Sequence, residues 1–386
     1  MNQSHHHLRK MNELQIGKNF CGIEIKEIFN QKNSYNGYGI LHGEEVFFKI
    51  TDDSRARLEP NGYKSLEPFF PQPKFISYKK INENLGLVIF ERVPELEKFE
   101  NLLGGWMRSG ISENDIDNSK EWNTICSLIK NTHEQTINVG LPQGPVEYFS
   151  RNKVKKGGKL DRLYGPNWEG LDHLNSIDEV IVDDKLIKFN WKKYKSELKN
   201  FGIDQTPTIK SISHGTLSEL NLSILPLFFD VTSSGNNPFI ADIVCFYLSI
   251  SFTDDYIVPK FIPDLVPRFP EILKNLKNEY GHSWEKKNNR ISVNFEKDYS
   301  IVREKILSDW YSKIMFPIIK EGEKNCKNWD WKNEFVQYSV LRTLSLFKLS
   351  EISESDQTLI ISYVARLHDW KDNPKHYHTM PRIGKL

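Results

Sequence analysis

The sequence lacks any cysteine pattern. Cys21, Cys126, Cys245 and Cys326 are its only four cysteines in 386 residues, and no two of them make a C-x-x-C pair. That argues against a zinc ribbon or a disulfide scaffold and for a reducing compartment. It also lacks an excess of charge: 52 Lys+Arg against 51 Asp+Glu leave a net +1, with no global pull toward nucleic acid or anionic lipid. Long hydrophobic runs are missing too. The longest apolar segments, 224–229 and 243–250, fall well short of the roughly 18 residues that span a bilayer. Residues 1–18 carry no apolar stretch of signal-peptide type. Internal repeats and low-complexity tracts are absent. These absences predict a soluble, cytoplasmic globular protein with no membrane span and no nucleic-acid partner. They leave its oligomeric state open. With 38% hydrophobic and 12% aromatic residues, the chain can build two or three lobes with real cores.

What is present divides near Pro94. Before it, residues 22–29 alternate apolar and polar, residues 45–50 form a second strand-like run, and residues 74–78 and 85–93 read as two more, with Asn82-Glu83-Asn84 as the turn between. Residues 33–39 are polar and glycine-containing and read as a bend. Residues 54–69 lack alternation, so a helix is expected there, capped by Ser54 and irregular at Pro60 and Gly62. After Pro94 the pattern turns helical, at 120–136, 296–349 and 356–368. Residues 141–175 are rich in Gly, Pro and Lys with little periodicity. The expected fold is α+β and two-lobed: residues 1–18 an N-terminal extension, 19–94 a small antiparallel β lobe with one helix, and 95–386 a larger, mainly helical lobe with a basic insertion near 140–200.

The chemistry concentrates in His214-Gly215-Thr216-Leu217-Ser218-Glu219-Leu220-Asn221 and, nine residues on, Asp230. Asn221 and Asp230 at the ends of two short apolar runs would stand side by side at the mouth of a hairpin. An amide and a carboxylate oxygen so placed suit Mg²⁺, which keeps several waters and shares a substrate's phosphates. In kinase-type phosphoryl transfer such a pair holds the metal, while a strand lysine, here Lys49, grips the phosphates and is itself held by a helix carboxylate. Glu59 is the candidate carboxylate, with Glu67 as runner-up. The alternative for Lys49 is a solvated strand end, and for Asn221 and Asp230 the capping of local turns. Asn36 and Gly37 lie in the polar bend, where backbone N–H groups can approach phosphates; a plain hairpin turn is the other reading. Glu91 and Val93 end a buried strand and offer backbone groups to a nucleobase. Asp242 opens an apolar helix, either as a cap or as a support for the 214–221 loop. Arg151, Lys153, Lys155, Lys156 and Lys159 form either a solvated hairpin or a grip on an anionic substrate.

Taken in order, His214-Gly215, Asn221, Asp230, Gly235-Asn236-Asn237-Pro238 and Asp242 resemble the aminoglycoside phosphotransferase/choline kinase-like family, over roughly residues 20–250. Glu59, Tyr63, Leu66 and Pro71-Gln72-Pro73 resemble its small-lobe helix, and residues 88–94 its hinge strand. The resemblance implies a protein kinase-like fold and an ATP (or other nucleoside triphosphate) and Mg²⁺ requirement. It implies Lys49 with Glu59 as the phosphate-gripping pair and Asn221 with Asp230 as metal ligands. The implied acceptor is a small-molecule or glycan hydroxyl. The chain departs from the pattern at Thr216, which stands where the family carries the Asp that takes the acceptor's proton. A threonine hydroxyl is no base near neutral pH. Either transfer proceeds without that base, with Glu219 or Ser218 as substitutes, or the chain is a pseudoenzyme that binds nucleotide or a partner without transfer.

Overall fold

The computed structural model describes residues 14–31, 34–146, 153–201, 206–251, 282–296, 300–346 and 348–374. Its first part is one six-stranded antiparallel sheet: β1 (Asn19–Phe20), β2 (Ile23–Gln31), β3 (Ser34–Leu41), β4 (Glu44–Asp52), β5 (Phe75–Lys80) and β6 (Leu85–Glu91), in the order β1-β2-β3-β4-β6-β5. Strand alternation decides what each face carries. Val46, Phe48 and Ile50 of β4 join Ile23, Ile25, Leu87 and Ile89 in the small core, which sends Lys49 to the opposite face. The register sets Lys49 against Asn36 of β3 on one side and Val88 of β6 on the other. Leu14 also belongs to this core, and Gly17 and Lys18 bond to Ile25. The last five residues of the expected N-terminal extension are therefore part of the sheet's packing.

Three sequence expectations need correction here. The bend at 33–39 is mostly strand, because Ser34–Leu41 pairs along its length with both β2 and β4. The helix at 54–69 is two helices, α1 (Asp53–Ala56) and α2 (Glu59–Leu66). Asp52, not Ser54, precedes the first turn. Pro60 is tolerated because it falls in the first turn of α2, where its missing N–H would have no helical partner anyway.

After a short 3-10 turn at Pro94–Glu97 the chain is mainly helical. The helix α3 (Lys120–Thr136) matches the expected span. A three-stranded sheet of β7 (Asn138–Gly140), β8 (Thr208–Ser213) and β9 (Gly235–Pro238) lies beside it, in the order β9-β8-β7. Every residue of the following helix α4 (Phe239–Ser251) is buried, as a helix apolar on nearly every side requires. Trp310 stacks on its Phe246 at 3.9 Å between ring centroids. This lobe also holds a four-stranded sheet that no sequence pattern announced. It comprises Glu179–Val182, Lys185–Lys188, His282–Lys287 and Arg290–Phe295, with one parallel pairing between the first and last. The basic insertion is no solvated hairpin where it is described. Its helix Lys159–Tyr164 and the turns after it bury Leu160, Tyr164, Trp168 and Leu171 in the main core. Lys153 is buried with its amine on Ser345 Oγ at 2.5 Å, while Lys155 and Lys156 are exposed. Arg151 lies outside the described residues. No helix among the described residues is long and apolar enough to cross a membrane.

Candidate active site

The site forms where α2 meets the chain after Asp230. Gly62, in the middle of α2, is what permits the approach: a Cβ there would lie 1.9 Å from the Val231 carbonyl oxygen. The sequence reading took Gly62 as a mere irregularity, but it is a packing requirement, because a helix can lie this close to backbone only through a residue without a side chain. The close contact brings Glu59 under the sheet. Its carboxylate is 1% exposed, and Oε1 accepts from Lys49 Nζ at 2.6 Å. Lys49 Nζ also reaches Asp230 Oδ1, at 2.7 Å. Burial works against the lysine's charge, but the two carboxylates outweigh it and hold the ammonium above its ordinary value. Lys49 in turn holds the Asp230 carboxyl well below the usual carboxylate range, against the pull of burial.

Asp230 takes a left-handed conformation, φ 61 and ψ 57, which aspartate tolerates better than most residues. This turns the chain from the 221–229 hairpin into the turn Val231–Ser233. The hairpin is narrower than the two short strands expected, a single bridge between Leu222 and Phe228. It still does what the reading required. Phe229 N donates to the Asn221 carbonyl at 3.3 Å, so Asn221 and Asp230 sit at adjoining ends. Asn221 Nδ2 donates to the Thr216 carbonyl at 3.0 Å, which orients the amide.

The loop that carries Thr216 is held through His214 and Asp242. His214 Nε2 bonds to the Phe229 carbonyl at 2.8 Å, and its Nδ1 faces the Thr216 N–H at 3.4 Å. Burial lowers the imidazole's pKa, which suits a neutral ring accepting at one nitrogen and donating at the other. Gly215 has φ +79, and a Cβ there would lie 2.2 Å from the Ser233 carbonyl oxygen. Its N–H donates to Asp242 Oδ1 at 2.6 Å. Asp242 thus supports the loop from the buried start of α4, the second of its two sequence readings.

Glu219 is corrected as a substitute base. Its carboxylate is 1% exposed and turned away into the lobe, with Arg108 on Oε1 at 3.3 Å and Arg303 on Oε2 at 3.0 Å. Both oxygens are thereby engaged with guanidinium groups. Asn36 and Gly37 lie within β3. A Cβ at Gly37 would lie 2.1 Å from the Glu27 carbonyl oxygen, so this glycine serves sheet packing. Asn36 shares the face of Lys49, and its Oδ1 is buried without a hydrogen-bond partner. The Glu91 side chain accepts from the Lys74 N–H at 2.7 Å, and the Glu91 N–H donates back to the Lys74 carbonyl at 2.9 Å. Among the described residues nothing accepts the Val93 N–H.

Sequence reasoning missed Thr232. Its hydroxyl lies 3.1 Å from Glu59 Oε1 and 3.2 Å from Asp230 Oδ1. No spacing rule marks a threonine two residues past Asp230, so no signal could have found it.

The donor set fits Mg²⁺: one amide oxygen at Asn221 and one carboxylate at Asp230 are hard ligands that leave room for water and phosphate oxygens. Among the described residues, Asn36 Oδ1 and Glu59 Oε2 are buried acceptors without a hydrogen-bond partner.

The chain matches no protein-family model and no curated protein sequence. It is similar in structure to a thermostable mutant of the aminoglycoside phosphotransferase APH(4)-Ia in its apo form, with TM-score 0.46 and 8% identity over 91% of this chain and 96% of that one. It is also similar to ADP-bound aminoglycoside phosphotransferase APH(2'')-Ib, with TM-score 0.40 and 10% identity over 96% and 98%. A third likeness is to the type VIII aminoglycoside-3'-phosphotransferase, with TM-score 0.35 and 15% identity over 71% and 90%.

Proposed function

We propose that this chain is a Mg²⁺-dependent phosphotransferase that moves the terminal phosphoryl group of ATP, or of another nucleoside triphosphate, to a hydroxyl of a small molecule or glycan. The observation that carries the reading is Lys49, fixed at 2.6 Å from a buried Glu59 and 2.7 Å from Asp230. A cation so held is positioned for phosphate charge, and positioning with charge neutralisation is most of what phosphoryl transfer needs. Mg²⁺, held by Asn221 and Asp230, would neutralise charge on the phosphates. The Val93 N–H is offered to the nucleobase. In the transfer, the acceptor oxygen bonds to the terminal phosphorus, the bond from that phosphorus to the bridging oxygen breaks, and the nucleoside diphosphate leaves with that electron pair. The acceptor's proton passes to solvent or to a basic group of the acceptor, because Thr216 does not take it. Cys126, Cys245 and Cys326 are free thiols, which suits a reducing, cytoplasmic setting.

One observation favours a second reading, nucleotide binding without transfer: Thr216 supplies no carboxylate, and Glu219 is occupied by two arginines. One assay tests both. ADP release is measured for the wild type, for Thr216→Asp, and for Thr216→Asp/Asp230→Ala as a blank, beside the thermal shift with ATP and Mg²⁺. The proposed function expects a Mg²⁺-dependent shift that Asp230→Ala abolishes. It also expects turnover that Thr216→Asp raises, by up to about 10²–10⁴-fold where base catalysis is what is lacking. Binding with no turnover in either protein selects the second reading, and absence of any shift in the wild type sinks both.

A further inference from the structure

We propose that Thr232 is a positioning residue whose single hydroxyl hydrogen bond is contested by Glu59 and Asp230 and is redirected to Glu59 when Asp230 takes up a divalent cation. The inference rests on the reading of Asp230 as a metal-holding carboxylate. Four atoms make a closed ring: Lys49 Nζ touches Glu59 Oε1 and Asp230 Oδ1 at 2.6 and 2.7 Å, and Thr232 Oγ1 touches the same two oxygens at 3.1 and 3.2 Å. The ammonium has three protons and serves both carboxylates at once. The hydroxyl has one, and ionised carboxylates only accept, so Thr232 donates to one oxygen while merely facing the other.

The two carboxylates stand in unequal positions. Glu59 is 1% exposed and its Oε2 has no hydrogen-bond partner, so Oε1 alone receives everything that compensates its buried charge. Asp230 is 39% exposed and can change partners toward the cleft. Thr232 itself cannot withdraw, since it sits in the turn on which α2 rests through Gly62. When a cation draws on Asp230, the hydroxyl is released to Glu59, and the Lys49–Glu59 pair keeps its geometry while Asp230 is occupied. The threonine thus couples the metal-holding side of the cleft to the helix that positions the phosphate-gripping lysine.

Thr232→Val removes the hydroxyl and keeps the shape, while Thr232→Ser keeps the hydroxyl. Two readouts apply to each: hydrogen exchange across residues 59–66 without ligand, and calorimetric titration of ADP binding against Mg²⁺. For Thr232→Val the expectation is faster exchange in 59–66 and a half-saturating Mg²⁺ concentration raised about five- to tenfold, as the loss of one charge-assisted hydrogen bond implies. Thr232→Ser should restore both. A Thr232→Val protein with the wild-type Mg²⁺ titration overturns the proposal, whatever its exchange. So does a serine variant that behaves like valine, because shape rather than the hydroxyl would then matter. A wild type that binds no ADP with Mg²⁺ overturns the functional reading itself and this inference with it; wild-type binding with unchanged Thr232→Val overturns this inference alone.

Discussion

Glu59 and Glu219 are both buried glutamates at 1% exposure, and they lie on opposite sides of the same loop system. Glu219 has two guanidinium groups, one on each oxygen, and its own N–H bonds to Ser249 Oγ at 2.9 Å. Glu59 has one ammonium on one oxygen and an orphan on the other. A buried charge that is fully compensated holds the fold and has no reason to respond to a ligand. A charge compensated by a single, partly exposed lysine depends on what enters the cleft. The contrast separates a structural carboxylate from a functional one without appeal to sequence position, and it is the reason Glu219 is set aside as a base. Asp242 extends the series: it is 2% exposed and has no charged partner. Its nearest basic nitrogen, His133 Nε2 at 3.8 Å, belongs to a ring whose pKa burial lowers to about 3.

The largest effect expected is at the most fully compensated member. Glu219→Ala takes from Arg108 and Arg303 the buried carboxylate they share. Removing one partner of a buried ion pair costs about 3–5 kcal/mol. Urea unfolding should show a loss of that order. A loss under about 1 kcal/mol would mean that the two arginines find other acceptors, and the contrast with Glu59 would collapse.

Lys49→Met should invert the balance between stability and binding. Asp230 faces solvent and Lys49 is itself 15% exposed, so the stability loss should be smaller than for Glu219→Ala. The loss of function should be larger: ADP affinity with Mg²⁺, or turnover once an acceptor is found, should fall about 100-fold or more, the scale of removing one preorganised charge. Calorimetry and urea unfolding on the same variant decide it. A protein that keeps its ADP affinity but unfolds as readily as Glu219→Ala would make Lys49 a structural residue like the arginines.

Much of this was legible in the sequence, for identifiable reasons. Lys49 and Glu59 could be paired because strand alternation and a helix start are local signals. Asn221 and Asp230 could be paired because two short apolar runs between them imply a turn. The breaks in legibility are also physical. Pairing along both edges turned the polar 33–39 segment into strand against its composition. The four-stranded sheet depends on Glu179–Val182 meeting Arg290–Phe295 across about a hundred residues, and no periodicity records such a partner. Glu219 looked chemically available because burial by distant Arg108 and Arg303 leaves no local trace. Thr232 is ordinary in sequence and matters only through two oxygens it meets in space.

The smallest effect concerns Asp242, the buried carboxylate without a cation. Burial pushes its pKa from 3.8 up to about 7, even though Gly215 donates to it. Between those two values the folded chain keeps a proton that the unfolded chain has released, so this group's contribution to stability falls as pH rises through that window. Asp242→Asn keeps an oxygen for the Gly215 N–H and does not titrate. Its melting temperature relative to wild type should therefore climb from about pH 4 to pH 7 and then level off. The shift of about three units sets a ceiling near 4 kcal/mol. An amide accepts the Gly215 N–H less strongly than a carboxylate, which offsets the whole curve without changing its climb, a climb of a few degrees in a chain of this size. His133 does not blur the comparison, because its depressed pKa is common to both proteins so long as it has no charged Asp242 beside it. A difference that stays flat from pH 4 to 8 would mean that Asp242 is ionised throughout and that His133 carries the compensating charge. Asp242 would then join Glu59 as a carboxylate with one cation, and the loop at Gly215 would be held by an ion pair rather than by a neutral acid.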